Sequence, residues 1–329
     1  MSKFKVVISD HYYESLAQEQ ELLQDLDAEL VAYHYHKAED VLKAAGDCDV
    51  LICEWAPITR QVIEGLTRCR GIVRYAIGVD NIDVAAATER GIPVCNVPDY
   101  CLDEVSNQTI GLLLDCARKL TFSANMLKQG VSSYTALKPV HRLAGQTLGL
   151  LGFGHIPRLV AKKLAGFGLK IITCDPYLQE EAAQELGVTP VSWEGLLQQS
   201  DYLSIHCPLT AETRHLFNEA TLSRMKKTAV LINTARGAIV DTGALVKALR
   251  KGTIALAGLD VTEEEPLPGD APLLKLANAV VTPHLAWYSE EAIRSLQLGV
   301  AQEAARLLRG EPPLHAVNKQ ALRDKKFNL

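Results

Sequence analysis

Short runs of aliphatic and β-branched residues alternate with longer helical patterns along the whole chain. The first strand candidates are Lys5–Ser9, Asp49–Glu54, Gly71–Ala76 and Pro93–Val97, with helical stretches such as Glu14–Ala28 and Ile82–Arg90 between them. A second series begins near Leu143, with strand candidates Gln146–Leu151, Lys170–Asp175, Tyr202–Cys207, Ala229–Ala235, Ile254–Asp260 and Ala279–His284. Strands alternating with helices build βαβ units, and therefore parallel sheets covered by helices. Two long helical patterns, Leu102–Lys128 and Ser289–Arg309, flank the second series. The first is expected to carry the chain from one sheet to the other, and the second to bring it back. The expected fold is α/β, with two doubly wound parallel-sheet domains, 104–289 inserted between 1–103 and 290–329. The crevice between two such domains is the expected ligand site.

Bulk properties agree with two domains and exclude several function classes. The 329 residues exceed one ordinary core, and 48% hydrophobic with 22% charged residues suits packed domains. The net charge of −5, without a basic stretch, gives no reason to expect nucleic acid or an anionic membrane as partner. No apolar run approaches the roughly 18 residues of a membrane helix. Met1–Lys5 leads straight into the apolar Val6–Ile8, so a first strand is expected rather than a secretory signal. The eight cysteines are scattered without a C-x-x-C pair, and Cys174 and Cys207 fall in strand candidates. That pattern reads as reduced thiols of a cytoplasmic protein, with no metal site.

The segment Gly149-Leu-Leu-Gly152-Phe-Gly154-His-Ile-Pro157-Arg158 follows a strand candidate and opens a helical pattern. Gly152 permits a tight turn, and Gly154 lets the backbone approach a pyrophosphate beside the free N–H groups of a helix start. The next strand candidate ends at Asp175, 23 residues after Gly152 (175 − 152). A carboxylate there suits the adenosine ribose and repels a 2′-phosphate, which favours NAD. Pro157 replaces the third glycine of the fingerprint; a proline in the first helical turn is tolerated, though packing there should change. Arg158 is read as a solvated helix residue.

Hydride transfer between nicotinamide and a 2-oxo acid needs a cation for the substrate oxygens and an acid for the forming alkoxide. Arg236, in Asn233-Thr-Ala-Arg-Gly237, ends a strand candidate and offers a planar, permanently charged fork. His284, in Thr282-Pro-His284, ends another, and histidine is the usual proton shuttle near neutral pH. The stretch Gly258–Pro266 holds Asp260, Glu263, Glu264 and Glu265, any of which by composition can supply a carboxylate favouring the protonated imidazole. His206 ranks below His284, and His11, His34, His36, His141, His215 and His315 are read as surface or structural groups.

With these residues assembled, the chain resembles the D-isomer-specific 2-hydroxyacid dehydrogenases over nearly its whole length. The matching stretches are Gly78-Val-Asp-Asn-Ile-Asp83, Gly91–Pro98, Gly152-Phe-Gly154, Cys174-Asp-Pro-Tyr177, Asn233–Gly237, Leu259-Asp-Val261 with Glu265-Pro266, and Thr282-Pro-His284. The resemblance implies a Rossmann NAD domain inserted into a flavodoxin-like substrate domain. It implies Arg236 on the substrate and His284 as acid/base, and an Arg–Glu spacing of 29 (265 − 236) selects Glu265 as the histidine's partner. It further implies Asp260 on the nicotinamide carboxamide, Thr109, Thr234 and Ala235 along the cofactor, and His155 and Ile156 at the pyrophosphate. Cys207, Pro208 and Thr213 would pass the adenosine side. The backbone of Ala76, Ile77 and Gly78 would take the substrate carboxylate.

Within the family, Val73-Arg74 and Ala286-Trp-Tyr-Ser-Glu290 resemble the C-terminal-binding protein group, which implies Arg74 on the carboxylate and Trp287 against the substrate side chain. The expected activity is interconversion of a 2-oxo acid and a D-2-hydroxy acid by a homodimer with contacts in the Leu102–Lys128 region. The alternative is an NAD-sensing oligomeric binding protein similar to the corepressors of that group. A Rossmann dehydrogenase of another substrate class, such as a polyol enzyme, would leave Arg236, Glu265 and His284 as coincidence.

Overall fold

The structure, a computed structural model, describes residues 3–322. Its strands form two sheets in which every paired strand is parallel. The first contains β1 (Phe4–Ile8), β2 (Ala28–Ala32), β3 (Val50–Cys53), β4 (Gly71–Arg74) and β5 (Val94–Cys95), in the order β2-β1-β3-β4-β5. The second contains β6 (Thr147–Leu151), β7 (Lys170–Cys174), β8 (Thr189–Pro190), β9 (Tyr202–Ile205), β10 (Val230–Asn233), β11 (Leu256–Leu259) and β12 (Ala279–Val281), in the order β12-β11-β10-β9-β6-β7-β8. Each sheet belongs to one compact unit. The larger unit is Cys101–Tyr288; the smaller joins the residues through Tyr100 to those from Ser289. The divisions thus fall at 100/101 and 288/289, where the sequence reading set them at 103/104 and 289/290.

The strands are short because both faces are covered. All four residues of β3 and all four of β10 are buried, as a parallel sheet between helix layers requires. In the smaller unit, helix Glu290–Arg309 is capped by Ser289 Oγ and buries Leu296, Val300, Ala304 and Leu307 against Val6, Ile8, Val50 and Val73. In the larger unit, Leu112, Leu113 and Cys116 of helix Leu102–Arg118 join Leu150, Val230 and Ile232 in one core.

Three elements differ from the sequence reading. β2 is an edge strand paired only with β1 and largely uncovered, so Ala-Glu-Leu-Val-Ala carries no burial signature. β8 is only two residues long. The expected single helix Leu102–Lys128 breaks at Lys119, whose backbone is left-handed (φ 53°), into Leu102–Arg118 and Leu120–Lys128. Neither glycine nor proline marks this break. Asp115 makes it, taking Thr121 N at 2.7 Å and the Thr121 hydroxyl at 2.5 Å to cap the second helix.

Both sheets reverse their winding direction at one point, between β1 and β3 and between β6 and β9. Loops leaving the carboxyl ends on either side of such a reversal diverge, and the gap between them is where doubly wound folds take ligands. In the smaller unit Asp10 ties these loops together. Its Oδ1 accepts Ser9 Oγ (2.7 Å) and Glu54 N (3.1 Å), and its Oδ2 accepts Trp55 N (2.5 Å) and Ala56 N (3.0 Å). Replacing Asp10 by Ala leaves these buried donors unpaired and is expected to cost about 2–3 kcal/mol of stability in urea unfolding.

Candidate active site

In the larger unit, the turn after β6 meets the start of the loop after β9. Gly152 has φ +91°, and a Cβ there would lie 3.1 Å from the His206 carbonyl carbon and 3.2 Å from Cys207 N, so only glycine fits. Gly154 opens helix His155–Leu164 without a side-chain cap, and a Cβ on it would meet nothing within 4 Å. The first N–H groups of that helix therefore face an approach free of side chains, a geometry suited to a pyrophosphate. Asp175 follows β7 directly; its Oδ2 accepts Phe153 N and its Oδ1 accepts Tyr177 N, each at 2.7 Å.

Pro157 is buried in the first turn, and the helix runs on unbroken. Its missing N–H falls among those a helix start leaves unpaired anyway. Arg158 departs from expectation. It is half-buried and tethered beside the turn, its Nε donating to Phe153 O (2.9 Å) and its Nη2 to Gln179 Oε1 (3.0 Å).

His155 is exposed and Ile156 half-buried at the helix start. Cys207 and Pro208 lead away from β9, and Thr213 closes their loop by donating its hydroxyl to Pro208 O (2.7 Å). His206 bonds Ser204 Oγ (2.8 Å), and burial pushes its pKa down to about 3, which favours the neutral imidazole over the imidazolium.

At the ends of β10, β11 and β12 the structure assembles a cation, a carboxylate and an imidazole. Asn233 shapes the turn after β10, with Oδ1 accepting Ala235 N (3.0 Å) and Nδ2 donating to Arg236 O (2.9 Å). A Cβ on the next residue, Gly237, would lie 1.9 Å from Thr262 O. Glycine there lets the Arg236 turn press against the loop that carries Glu265. Glu265 Oε1 accepts Thr262 N (3.0 Å), and Oε2 meets His284 Nδ1 at 2.7 Å. Burial alone would raise the Glu265 pKa, but the His284 bond, the Thr262 N–H and the Arg236 charge hold it below the usual carboxylate value. Of its neighbours, Glu263 pairs instead with His215 Nε2 (2.5 Å) and Thr242 N (3.3 Å).

His284 adopts a left-handed backbone (φ 53°). Its N–H donates to Asp260 O (2.7 Å), while the buried Asp260 carboxylate accepts Thr282 Oγ1 (2.5 Å), Leu285 N (3.1 Å) and Ala286 N (2.8 Å). Gln108 Nε2 donates to the same Thr282 hydroxyl (3.1 Å). Thr109 and Thr234 are buried and share a hydroxyl bond at 2.8 Å. Trp287 is half-buried, with its ring edge-on to Tyr288. The roles of Thr282 and Gln108 carry no sequence signal, because each acts through a partner far away in the chain.

In the smaller unit, the loop after β4 turns its carbonyls inward. Ala76 O accepts Val97 N (3.1 Å), Ile77 O accepts Asn96 Nδ2 (2.5 Å), and Gly78 O accepts Arg74 Nη1 (2.7 Å). Arg74 is buried, and its Nε donates to Glu54 O (3.0 Å).

A glycine turn with an open helix start, an aspartate directly after β7 and an Arg–Glu–His set at successive strand ends together suit a nicotinamide-dependent oxidoreductase acting on an oxo acid. Comparison with known proteins agrees. Residues 110–286 match the family described as D-isomer specific 2-hydroxyacid dehydrogenase, NAD binding domain. The chain is 40% identical over 287 residues to a glyoxylate reductase of Korarchaeum cryptofilum, covering 86% of each chain. Among solved structures, a glyoxylate reductase from Paecilomyes thermophila superposes with TM-score 0.87 at 30% identity, covering 97% of this chain and 100% of that one. The D-lactate dehydrogenase of Aquifex aeolicus complexed with NAD and lactic acid gives 0.85 at 28% identity, over 93% and 96%.

The chain belongs to the D-isomer-specific 2-hydroxyacid dehydrogenase family. It is an NAD-dependent oxidoreductase that interconverts a 2-oxo acid and a 2-hydroxy acid. Relatives named as reductases and dehydrogenases do not favour the NAD-sensing binding protein. No helix among the described residues is long and apolar enough to cross a membrane.

Gly237→Ala forces the Thr262–Glu265 segment away from Arg236. It is expected to lower kcat/KM by about 100-fold while NADH binding, followed by fluorescence, persists.

Proposed function

We propose that Arg236, Glu265 and His284 carry the reduction of a small 2-oxo acid to the D-2-hydroxy acid, and the reverse oxidation. The observation that supports this most is the bond between Glu265 and His284, with the Arg236 charge acting on the same carboxylate. Bound NADH supplies the hydride to the carbonyl carbon. Arg236 offers its fork to the substrate oxygens, and His284, oriented through Nδ1, gives the proton that converts the ketone oxygen to hydroxyl.

The cofactor is assigned to Gly152, Gly154, His155 and Ile156 at the pyrophosphate, Asp175 at the ribose and Cys207, Pro208 and Thr213 beside the adenosine. Thr109, Thr234, Ala235 and Asp260 take the nicotinamide end. Ala76, Ile77 and Gly78, whose carbonyls are all engaged, are assigned to the substrate carboxylate through their N–H groups. Arg74 braces that loop and adds positive charge, and Trp287 is assigned to the substrate side chain.

The Glu265 pKa lies below its ordinary value, so its charge is fully present at neutral pH and is lost only as pH falls through the lowered value. With NADH and a panel that includes glyoxylate, pyruvate and longer 2-oxo acids, the wild type should turn over one or more. Arg236→Ala and His284→Ala should each lose at least about 100-fold in kcat/KM. Glu265→Gln removes the counter-charge of the imidazolium. It should move the pH above which reductive kcat/KM declines downward by about one unit. Full activity of His284→Ala would refute the assignment.

We also propose a homodimer formed through residues 120–140, and a cytoplasmic location. Helix Leu120–Lys128 has no buried residue, and Leu120, Leu127, Val131 and Tyr134 are exposed around it. A nine-residue helix with no fully buried residue gains little stability by itself, so a second copy is the fitting cover. The eight cysteines, scattered along the chain and five of them buried, suit a reducing compartment. Light scattering should give twice 36.0 kDa for the wild type. The double variant Leu127→Glu, Tyr134→Glu should run as a monomer, and a dimer that survives it would place the contact elsewhere.

A further inference from the structure

Cys48 and Cys69 precede β3 and β4, adjacent strands of the smaller sheet. They stand at the amino ends of these strands, opposite the loop assigned to the substrate carboxylate. The two segments run side by side before the strands begin. Thr67 N donates to Gly46 O (2.8 Å) and Arg70 N to Asp49 O (2.7 Å), and the ladder then pairs Val50 with Gly71. Each of these pairs is 21 residues apart (67 − 46, 70 − 49, 71 − 50), and so are the two cysteines (69 − 48). Backbone bonds on both sides therefore bracket them as cross-strand neighbours. Neighbouring strands lie about 4.8 Å apart, inside the roughly 4.4–6.8 Å between Cα atoms that a disulfide spans. The two side chains already share a hydrogen bond.

The two sulfurs differ in a way that suits stepwise oxidation. Cys48 is fully buried, in one core with Val7, Val41, Leu51 and Ile72, whereas Cys69 is partly exposed and packs against the edge of that core. The Cys69 thiol also lies 3.2 Å from Gly71 O, which fixes its place at the start of β4. The bond to Cys69 and burial both push the Cys48 thiol up, so Cys48 keeps its proton. A peroxide is attacked by an accessible thiolate, not by a buried thiol. Access and proton placement together select Cys69 as the attacking sulfur and leave Cys48 held against it as the resolving one.

We propose that Cys48 and Cys69 form a reversible redox pair that hydroperoxides oxidise to a disulfide. The Cys69 thiolate attacks one oxygen of the hydroperoxide ROOH. The O–O bond breaks, the RO fragment leaves as ROH with a proton, and Cys69 becomes a sulfenic acid. The Cys48 sulfur then attacks the Cys69 sulfur. The S–S bond forms, the S–O bond breaks, and the hydroxyl leaves as water with the Cys48 proton. Two thiols lose two electrons, and one hydroperoxide becomes one alcohol and one water. A small dithiol reverses the change. In a reducing compartment the dithiol is the resting form and the disulfide a transient response.

The test treats the reduced protein with hydrogen peroxide, alkylates the remaining thiols after denaturation, and reads the digest by mass spectrometry with and without dithiothreitol. The wild type should give a linked Cys48–Cys69 peptide that is lighter by two hydrogens than its separate parts and is lost on reduction. With dimedone present, Cys48→Ala should be labelled at Cys69 at least about fivefold more than the wild type, because nothing resolves the sulfenic acid. Should Cys48→Ala not fold, Cys69→Ser decides from the partly exposed side: Cys48 should then be recovered as a thiol after peroxide. Peroxide that leaves both wild-type thiols unchanged, drives Cys69 to the sulfinic acid without a link, or joins either cysteine to a different one overturns the pair. So does dimedone labelling no higher in Cys48→Ala than in the wild type, or a Cys48 oxidised as readily in Cys69→Ser.

Discussion

Aspartates that accept backbone N–H groups hold the carboxyl-end loops of both sheets. Asp10 gathers the N–H groups of residues 54–56, Asp175 takes Phe153 N inside the glycine turn, and Asp260 takes Leu285 N and Ala286 N behind His284. A parallel sheet fixes its strands well but leaves the loops at their ends to find their own partners. A carboxylate with two acceptor oxygens can join loops that are far apart in the chain, and charge-assisted bonds are the stronger kind. The positions of the imidazole, the glycine turn and the loop after β3 all follow from these three anchors.

The geometry of the candidate site is built from close approach as much as from polar contacts. Gly237 lets one turn lie against the backbone of Thr262, and Gly152 lets another lie against His206. Both contacts join loops that leave adjacent strand ends. Glu265 then serves two neighbours, with one oxygen on the Thr262 N–H and the other on His284.

Much of this was legible in the sequence, for identifiable reasons. Ten of the strands announce themselves because buried parallel strands are apolar on both faces, as in Val50-Leu-Ile-Cys53. The edge strand β2 and the two-residue β8 are only partly covered and lack that signal. The break at Lys119 was hidden because a side-chain cap from Asp115 makes it, with no glycine or proline. Arg236 and His284 stand out as polar residues ending apolar runs. Asp10 does not, since the N–H groups it gathers lie in another loop and only the folded chain brings them together.

The left-handed backbone of His284 has a further meaning. A histidine in that region costs on the order of 1 kcal/mol relative to an ordinary conformation, and glycine would relieve it. The Asp260 carbonyl and carboxylate hold the loop there against that preference. With the proton-transfer role proposed for His284, the most active form of this chain is therefore not the most stable one its backbone admits. Selection for thermal tolerance alone, with no demand for turnover, would tend to drift away from histidine at this position.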